Sequence, residues 1–271
     1  MSDRKSRNKA GGAKDGDLMP VVFVGHGNPM NAIEDNVYAR AWARLGQELP
    51  RPRTILSVSA HWEVGGSLVS TQADPQTIHD FYGFPEELYA VRYPCPGSPR
   101  LAEKIIELGR GEIAPDDSWG IDHGTWSVLR RMYPRADIPV VQLSLDYGKS
   151  PRRHFEAARM LAPLRKEGVL IVGSGNLVHN LRLMRYSENA APYDWAIEFD
   201  RTVAGLIGER RYESLVEYGN LGGAATLSIP TNEHYLPLLY VLALAQQGEQ
   251  VSFPVTGIDL GSVSMRAVRI G

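Results

Sequence analysis

The sequence predicts a single α/β domain, a central, mostly parallel or mixed β-sheet flanked by helices, with its active site at the carboxyl ends of the strands. Three observations carry that expectation. Short apolar runs rich in β-branched residues, at 21–24, 54–60 and 169–172, have the length and composition of strands covered on both faces. Stretches with apolar residues at helical spacing stand between and beyond them. Each run also delivers a histidine: His26 in Gly25-His26-Gly27, His61 in His61-Trp62, and His179 beyond Gly173-Ser174-Gly175-Asn176. If the three strands are parallel neighbours, three imidazoles converge at the edge where open α/β sheets bind ligands.

Taken in order, residues 1–18 mix Arg4, Lys5, Arg7, Lys9 and Lys14 with glycine and serine and lack the apolar middle of a secretion signal. A disordered tail is expected there, and the folded domain over residues 19–271. Val37, Trp42, Leu45 and Leu49 recur at helical spacing until Pro50-Arg51-Pro52, which predicts a helix over 36–48. With the strand from Thr54 it makes a β-α-β unit with a right-handed crossover. Residues 67–71 alternate as a half-buried strand. Residues 74–97 are dense in proline, glycine and aromatics around Ile78-His79-Asp80-Phe81, and so long a loop predicts a wall or lid of a site. Ser98-Pro99 and Ser150-Pro151 each pair a capping serine with a proline at the first helical position, so helices are expected from there to Leu108 and to Gly168. The glycine-flanked His123 leads into a short helix to Tyr133, and residues 139–145 read as a strand. Helices are expected over 195–207 and 235–245, the second capped by Thr231 with His234 in its first turn. Strands over 251–254 and 262–270 close the chain, the last alternating at Val263, Met265 and Ala267.

Composition narrows the function. Of 271 residues, 43% are apolar, enough for a substantial core, and the net charge of −2 offers no phosphate-binding face, so nucleic acid is not an expected partner. No apolar run approaches the length that crosses a bilayer, so no membrane partner is expected either. Cys95 is the only cysteine, which rules out an internal disulfide and suits a reducing cytoplasm; in its proline-rich loop, with no base beside it, it reads as a bystander thiol.

The chemistry rests on the histidines. There are seven, and His154, behind two arginines on a helix, reads as a packing or surface residue; the other six stand beside glycine, proline, tryptophan or a helix start. Imidazole suits Zn, Cu, Fe or Ni, and no cysteine pair or His-Glu-x-x-His helix offers a simpler metal site. A helix dipole at His234 would disfavour imidazolium and keep a lone pair free. Its neighbour Glu233 reads either as a rival third ligand or as a carboxylate that stabilises the helix start. Gly173-Ser174-Gly175-Asn176-Leu177-Val178 is a weak match to a dinucleotide loop, because Val178 stands where glycine or alanine is needed.

Gly25-His26-Gly27-Asn28-Pro29-Met30, Ser59-Ala60-His61-Trp62, Ile78-His79-Asp80-Phe81, Asp122-His123-Gly124, Gly175-Asn176-Leu177-Val178-His179-Asn180 and Glu233-His234-Tyr235 together resemble the class III extradiol ring-cleaving dioxygenases, 4,5-DOPA branch. The resemblance covers residues 19–271 and implies that this span is a catalytic domain. It implies His26, His61 and His234 as metal ligands and His179 as the acid–base residue, able to enter the coordination shell when zinc is bound. It implies His123 facing substrate and oxygen, and His79 and Asp80 lining the pocket. Fe(II) is then the cofactor expected for activity, with Zn(II) able to occupy the same site in purified protein. The partners are a small aromatic diol and O₂, and the chain is expected to act as a monomer or homodimer. Arg92 either holds a substrate carboxylate or is a solvated surface group. A zinc-dependent hydrolase using the same histidines and a non-catalytic binding protein on the same fold stay open as alternatives.

Overall fold

The computed structural model describes residues 18–187 and 190–271; apart from Leu18, the tail expected over residues 1–18 lies outside the described residues. Met19 is buried and its N–H donates to the Arg165 carbonyl at 3.0 Å.

The elements in chain order are Val21–Gly25 (β1), Val37–Glu48 (α1), Thr54–Val64 (β2), Ser67–Ser70 (β3), Glu86–Tyr89 (α2), Pro99–Gly109 (α3) and Ile113–Asp116 (β4). His123–Met132 (α4), Val140–Asp146 (β5), Pro151–Ala158 (α5), Ala162–Lys166 (α6), Val169–Gly175 (β6) and Asp194–Gly208 (α7) follow. Tyr212–Val216 (α8), Gly223–Ser228 (α9), Leu236–Ala243 (α10), Val251–Val255 (β7), Ile258–Asp259 (β8), Val263–Ser264 (β9) and Ala267–Ile270 (β10) complete the described chain. One mixed sheet runs β4-β3-β5-β2-β6-β1-β10-β7. The three strands marked by histidines are neighbours, with β6 parallel to β1 on one side and to β2 on the other.

Burial on both faces explains why these strands read as continuous apolar runs. Val21 and Phe23 enter one core with Phe199 and Val203 of α7 and Leu239 of α10. Val22 and Val24 enter the other with Trp42 and Leu45 of α1 and Trp126 and Leu129 of α4. Successive side chains of a strand point to opposite faces, and here helices cover both. Asn36 starts α1 by accepting the N–H groups of Tyr38 (3.1 Å) and Ala39 (2.9 Å) on its side-chain oxygen.

Several expectations need correction. The strand from Thr54 does not stop at Ala60 but runs on to Val64, its register with β5 breaking between the pairs Val58–Leu143 and Glu63–Leu145. Such a bulge re-aims side chains, here the His61 segment. Gly173-Ser174-Gly175 is not a turn but the end of β6: a Cβ at Gly173 would run into the Pro237 carbonyl, so these glycines admit a neighbouring segment. The helix from Pro151 breaks at a 3-10 turn, Arg159–Leu161, and restarts as α6 with Pro163 in its first turn, where the missing N–H costs nothing. The span 262–270 splits into β9 and β10, because Ser264 N–H donates to the Val178 carbonyl (2.9 Å) and draws β9 toward the β6 loop. Residues 262–268 are all buried, which removes the expected alternation. Sequence reading also missed α2, β4, α8 and α9; β4 carries Pro115 and lies at the sheet edge, where proline is tolerated. No helix among the described residues is long and apolar enough to cross a membrane.

Candidate metal centre

The carboxyl end of β6 organises the site. The Gly175 carbonyl takes the His26 N–H (3.1 Å), and Asn176 N–H donates to the His234 carbonyl (2.8 Å). A Cβ on Gly175 would run into that same His234 carbonyl, so only glycine admits the His234 segment. His61 lies within β2, two residues past the last β2–β6 pair, Ser59–Ser174. His123 opens α4 behind Asp122, whose carboxylate accepts the Thr125 N–H at 3.0 Å as the helix cap. His179 lies in the loop after β6, its N–H on the Ser228 carbonyl (2.9 Å). Thr231 does not cap the last long helix: its hydroxyl donates to Glu233 (3.0 Å), α10 starts at Leu236, and His234 stands ahead of it.

The expected convergence is present. The rings of His26, His61 and His234 form a nearly equilateral triangle, with centroids 4.9, 5.2 and 5.1 Å apart. His123 stands 3.8 Å from His61 and 5.7 Å from His26. His179 stacks on His234, centroids 3.4 Å apart and planes within 11°. His79 lies farther back: its Nε2–H donates to the Val91 carbonyl (3.0 Å) and its ring packs among Phe81, Tyr89 and Trp126. Phe81 meets His123 edge-on, so His79 reaches the cluster through that ring. His154 is a packing residue, as one of its two readings has it, fully buried with both nitrogens hydrogen-bonded. Arg92 donates to the Tyr89 (2.7 Å) and Val91 (2.8 Å) carbonyls and braces its own loop. Cys95 is buried and free, with burial pushing its thiol up to about 12.

Hydrogen bonds set the tautomers. Ser174 donates its hydroxyl to the Gly124 carbonyl (2.5 Å), so toward His26 Nδ1 (3.0 Å) it can only accept, and the ring proton sits on Nδ1. His61 Nδ1 faces Asp80 at 3.2 Å and His234 Nδ1 faces Glu233 at 3.0 Å, both carboxylates that only accept. This Glu233 contact replaces the helix-start role considered from sequence. Burial, reinforced by neighbouring imidazoles, holds His26, His61 and His234 well below the ordinary imidazole pKa. Burial also pushes the Asp80 carboxyl up, but the hydrogen bond and charge of His123, with the charge of His61, prevail and hold it at about 2. Burial lowers His179 to about 4 despite the nearby Glu233.

Three neutral rings with Nδ1 protonated leave three Nε2 lone pairs. Those of His26 and His61 face each other at 3.0 Å, a repulsive contact that a cation between them would relieve. An all-imidazole donor set suits Zn, Cu, Fe or Ni. Rings sharing one ion at about 2.1 Å from nitrogen stand about 5 Å apart, centroid to centroid, which is the spacing of the triangle. The residues present therefore fit a metal. By proximity alone, one donor atom each from His26, His61 and His123 lie within 4.8 Å of one another, as do those of His179, Glu233 and His234.

Sequence reading missed the groups that orient the rings. Ser174 is 148 residues from His26 and carries no local signal. Asp122, fully buried, accepts from Ser59 (2.8 Å) and Gln142 (2.6 Å), and its capping role was readable only from its place before α4. Glu233 was visible as a carboxylate beside a histidine, though not its attachment to that ring.

Residues 20–256 match the family described as the catalytic LigB subunit of aromatic ring-opening dioxygenase. The chain is 50% identical over 262 residues to a 4,5-DOPA dioxygenase extradiol of Escherichia coli (strain K12), covering 93% of this chain and 95% of that protein. It is 35% identical to a 4,5-DOPA dioxygenase extradiol of Beta vulgaris, covering 91% of this chain and 94% of that one. A crystal structure of an uncharacterized protein from Escherichia coli K12 superposes with a TM-score of 0.82 at 45% identity, covering 93% of this chain and all of that chain (100%).

Proposed function

The chain belongs to the family of the catalytic LigB subunit of aromatic ring-opening dioxygenases and is a metal-dependent extradiol ring-cleaving dioxygenase; from that premise we propose that it opens DOPA-like catechols with O₂, using Fe(II) held by His26, His61 and His234 in a catalytic domain spanning residues 19–271. The observation that carries the ligand assignment is the triangle itself. Its three sides are equal within 0.3 Å, 5.2 against 4.9, and each ring is turned by an acceptor at Nδ1 so that Nε2 is free. His123, at 3.8 Å from His61, and His179, at 3.4 Å from His234, stand too close to a triangle member for both rings to point at one ion.

A bound Fe(II) would supply Lewis-acid activation of the diol and the redox chemistry that lets O₂ react, whereas Zn(II) in the same triangle would supply only the first. His179, which burial keeps neutral with its pKa near 4, takes a diol proton on a ring nitrogen in this reading and returns it to oxygen as the ring opens. The parallel stack on His234 favours this acid–base role over coordination. His123 faces the substrate side, with Phe81 against its edge; Asp80 and His79 support that wall. A lone buried thiol suits a reducing cytoplasm.

The test is an aerobic panel of catechols with freshly Fe(II)-loaded enzyme, followed by the yellow ring-opened semialdehyde. Product from the Fe(II) form and none from the Zn(II) form is the expected result; equal turnover of a hydrolysable ester by both would contradict it. His179→Ala is expected to keep its metal and lose about 10²- to 10⁴-fold in kcat. Undiminished cleavage would remove His179 from proton transfer.

A further inference from the structure

One carboxylate serves two of these rings. Asp80 Oδ1 accepts the backbone N–H of His123 (2.8 Å), Oδ2 accepts the His123 Nδ1–H (2.9 Å), and the same Oδ2 lies 3.2 Å from His61 Nδ1. We propose that Asp80 is a positioning residue that locks His123 with its proton on Nδ1, so that His123 acts as a hydrogen-bond acceptor for a substrate hydroxyl and not as a donor to oxygen. The inference deepens the reading above and rests on the substrate-facing place given there to His123.

A neutral imidazole has a single N–H, and once that proton sits on Nδ1 the other nitrogen can only accept. The grip on His123 is double, on backbone and ring, so it fixes both where the first residue of α4 stands and how its ring is turned. The complementary partner for an accepting Nε2 is an O–H group. A diol carries two such groups and O₂ carries none, which assigns His123 to the aromatic substrate. Sharing Oδ2 with His61 also ties the orientation of a metal-holding ring to that of the substrate-facing ring. Gly124 permits the arrangement: a Cβ there would lie 2.8 Å from His61 Cδ2, so a larger residue would push α4 away from that ring.

The molecule carries its own reference for the opposite tautomer. His79 and His154 each face a backbone carbonyl through Nε2, at 3.0 Å (Val91) and 3.1 Å (Asp146), and so carry the proton there. In ¹⁵N-histidine-labelled, Zn(II)-loaded protein, proton–nitrogen correlation spectra should show Nδ1–H for His123 and Nε2–H for His79 and His154. Asp80→Asn keeps one acceptor oxygen for the His123 backbone N–H and turns an amide N–H₂ toward the ring, so His123 should change to Nε2–H while the His154 signals stay in place and report an intact fold. The KM for catechol in the Fe(II) form should then rise about 2- to 10-fold, the worth of one hydrogen bond between neutral groups, with the KM for O₂ unchanged. Nε2–H on His123 in the unmutated protein, or no tautomer change in Asp80→Asn, overturns the inference alone. A rise confined to the KM for O₂ does the same. A zinc-coordinated Nε2 on His123 overturns it together with the ligand assignment. Should Asp80→Asn fail to fold, the spectrum of the unmutated protein decides by itself.

Discussion

His26 and His154 make a close comparison. Both are buried, 2% and 0% exposed, and both meet a hydroxyl through Nδ1 at 3.0 Å, Ser174 in one case and Tyr240 in the other. They differ in which way the hydroxyl proton points. His154 donates Nε2–H to the Asp146 carbonyl (3.1 Å), so its Nδ1 accepts from Tyr240 and neither nitrogen is left over. Ser174 gives its proton to the Gly124 carbonyl, so His26 must donate from Nδ1 and keeps a lone pair on Nε2. Burial is common to both; of the two, His26 alone keeps an uncommitted lone pair, aimed at that of His61. That pair of facts, and not burial, separates the histidine proposed to hold the metal from a packing one.

The largest test of this contrast is to remove each ring. His26→Ala should abolish stoichiometric metal binding, read by metal analysis after desalting, and with it ring cleavage. His154→Gln, which can still donate to Asp146 and accept from Tyr240, should retain full metal content. Equal retention in both variants would break the distinction.

A second test uses protons. Burial holds His154 down to about 4, whereas an exposed imidazole titrates near 6.5. The unfolded chain therefore binds a proton between these values that the folded chain refuses. Stability from this residue is fully present above about pH 6.5 and is lost as pH falls toward 4, by about 3 kcal/mol in all. His154→Gln should remove close to one proton from the pH dependence of unfolding in that window, measured as the difference in denaturant midpoints between the variant and the unmutated chain. An unchanged slope would mean that His154 is protonated in the folded state.

The sequence carried the fold because it is written locally. Val21, Val22, Phe23 and Val24 are apolar in succession because β1 is covered on both faces, and Asn36, Ser98 and Ser150 announce their helices by caps that act within three residues. It carried the ring positions because strand ends and glycines mark them. Where long-range packing sets local form, it misled. Gly173 and Gly175 look like a turn but are cleared for Pro237 and His234, a reason lodged some sixty residues away in the chain. Met265 and Arg266 look like alternating strand positions, yet Arg266 pairs in the interior with Asp200. Ser174, Asp80 and Glu233 escaped as ring-orienting groups because a hydrogen bond between distant segments leaves no periodicity behind.

The smallest and sharpest test turns His26 toward the state of His154. Ser174→Ala removes the acceptor at Nδ1 without touching any ring of the triangle. The His26 Nδ1–H is then buried without a partner, and the Gly124 carbonyl loses its hydroxyl donor, changes worth about 1–3 kcal/mol in folding stability. With nothing holding the proton on Nδ1, His26 can place it on Nε2, toward the Nε2 lone pair of His61 at 3.0 Å. That removes one metal donor for part of the population. Metal affinity, measured by competition with a chelator, should fall about 10- to 100-fold, the range found when a group orienting a ligand is lost. The drop should be smaller than in His26→Ala, because the tautomer can still revert when the ion arrives. An affinity equal to that of the unmutated chain would show that the triangle selects its own tautomer, and the direction of the Ser174 hydroxyl would no longer explain why His26 differs from His154.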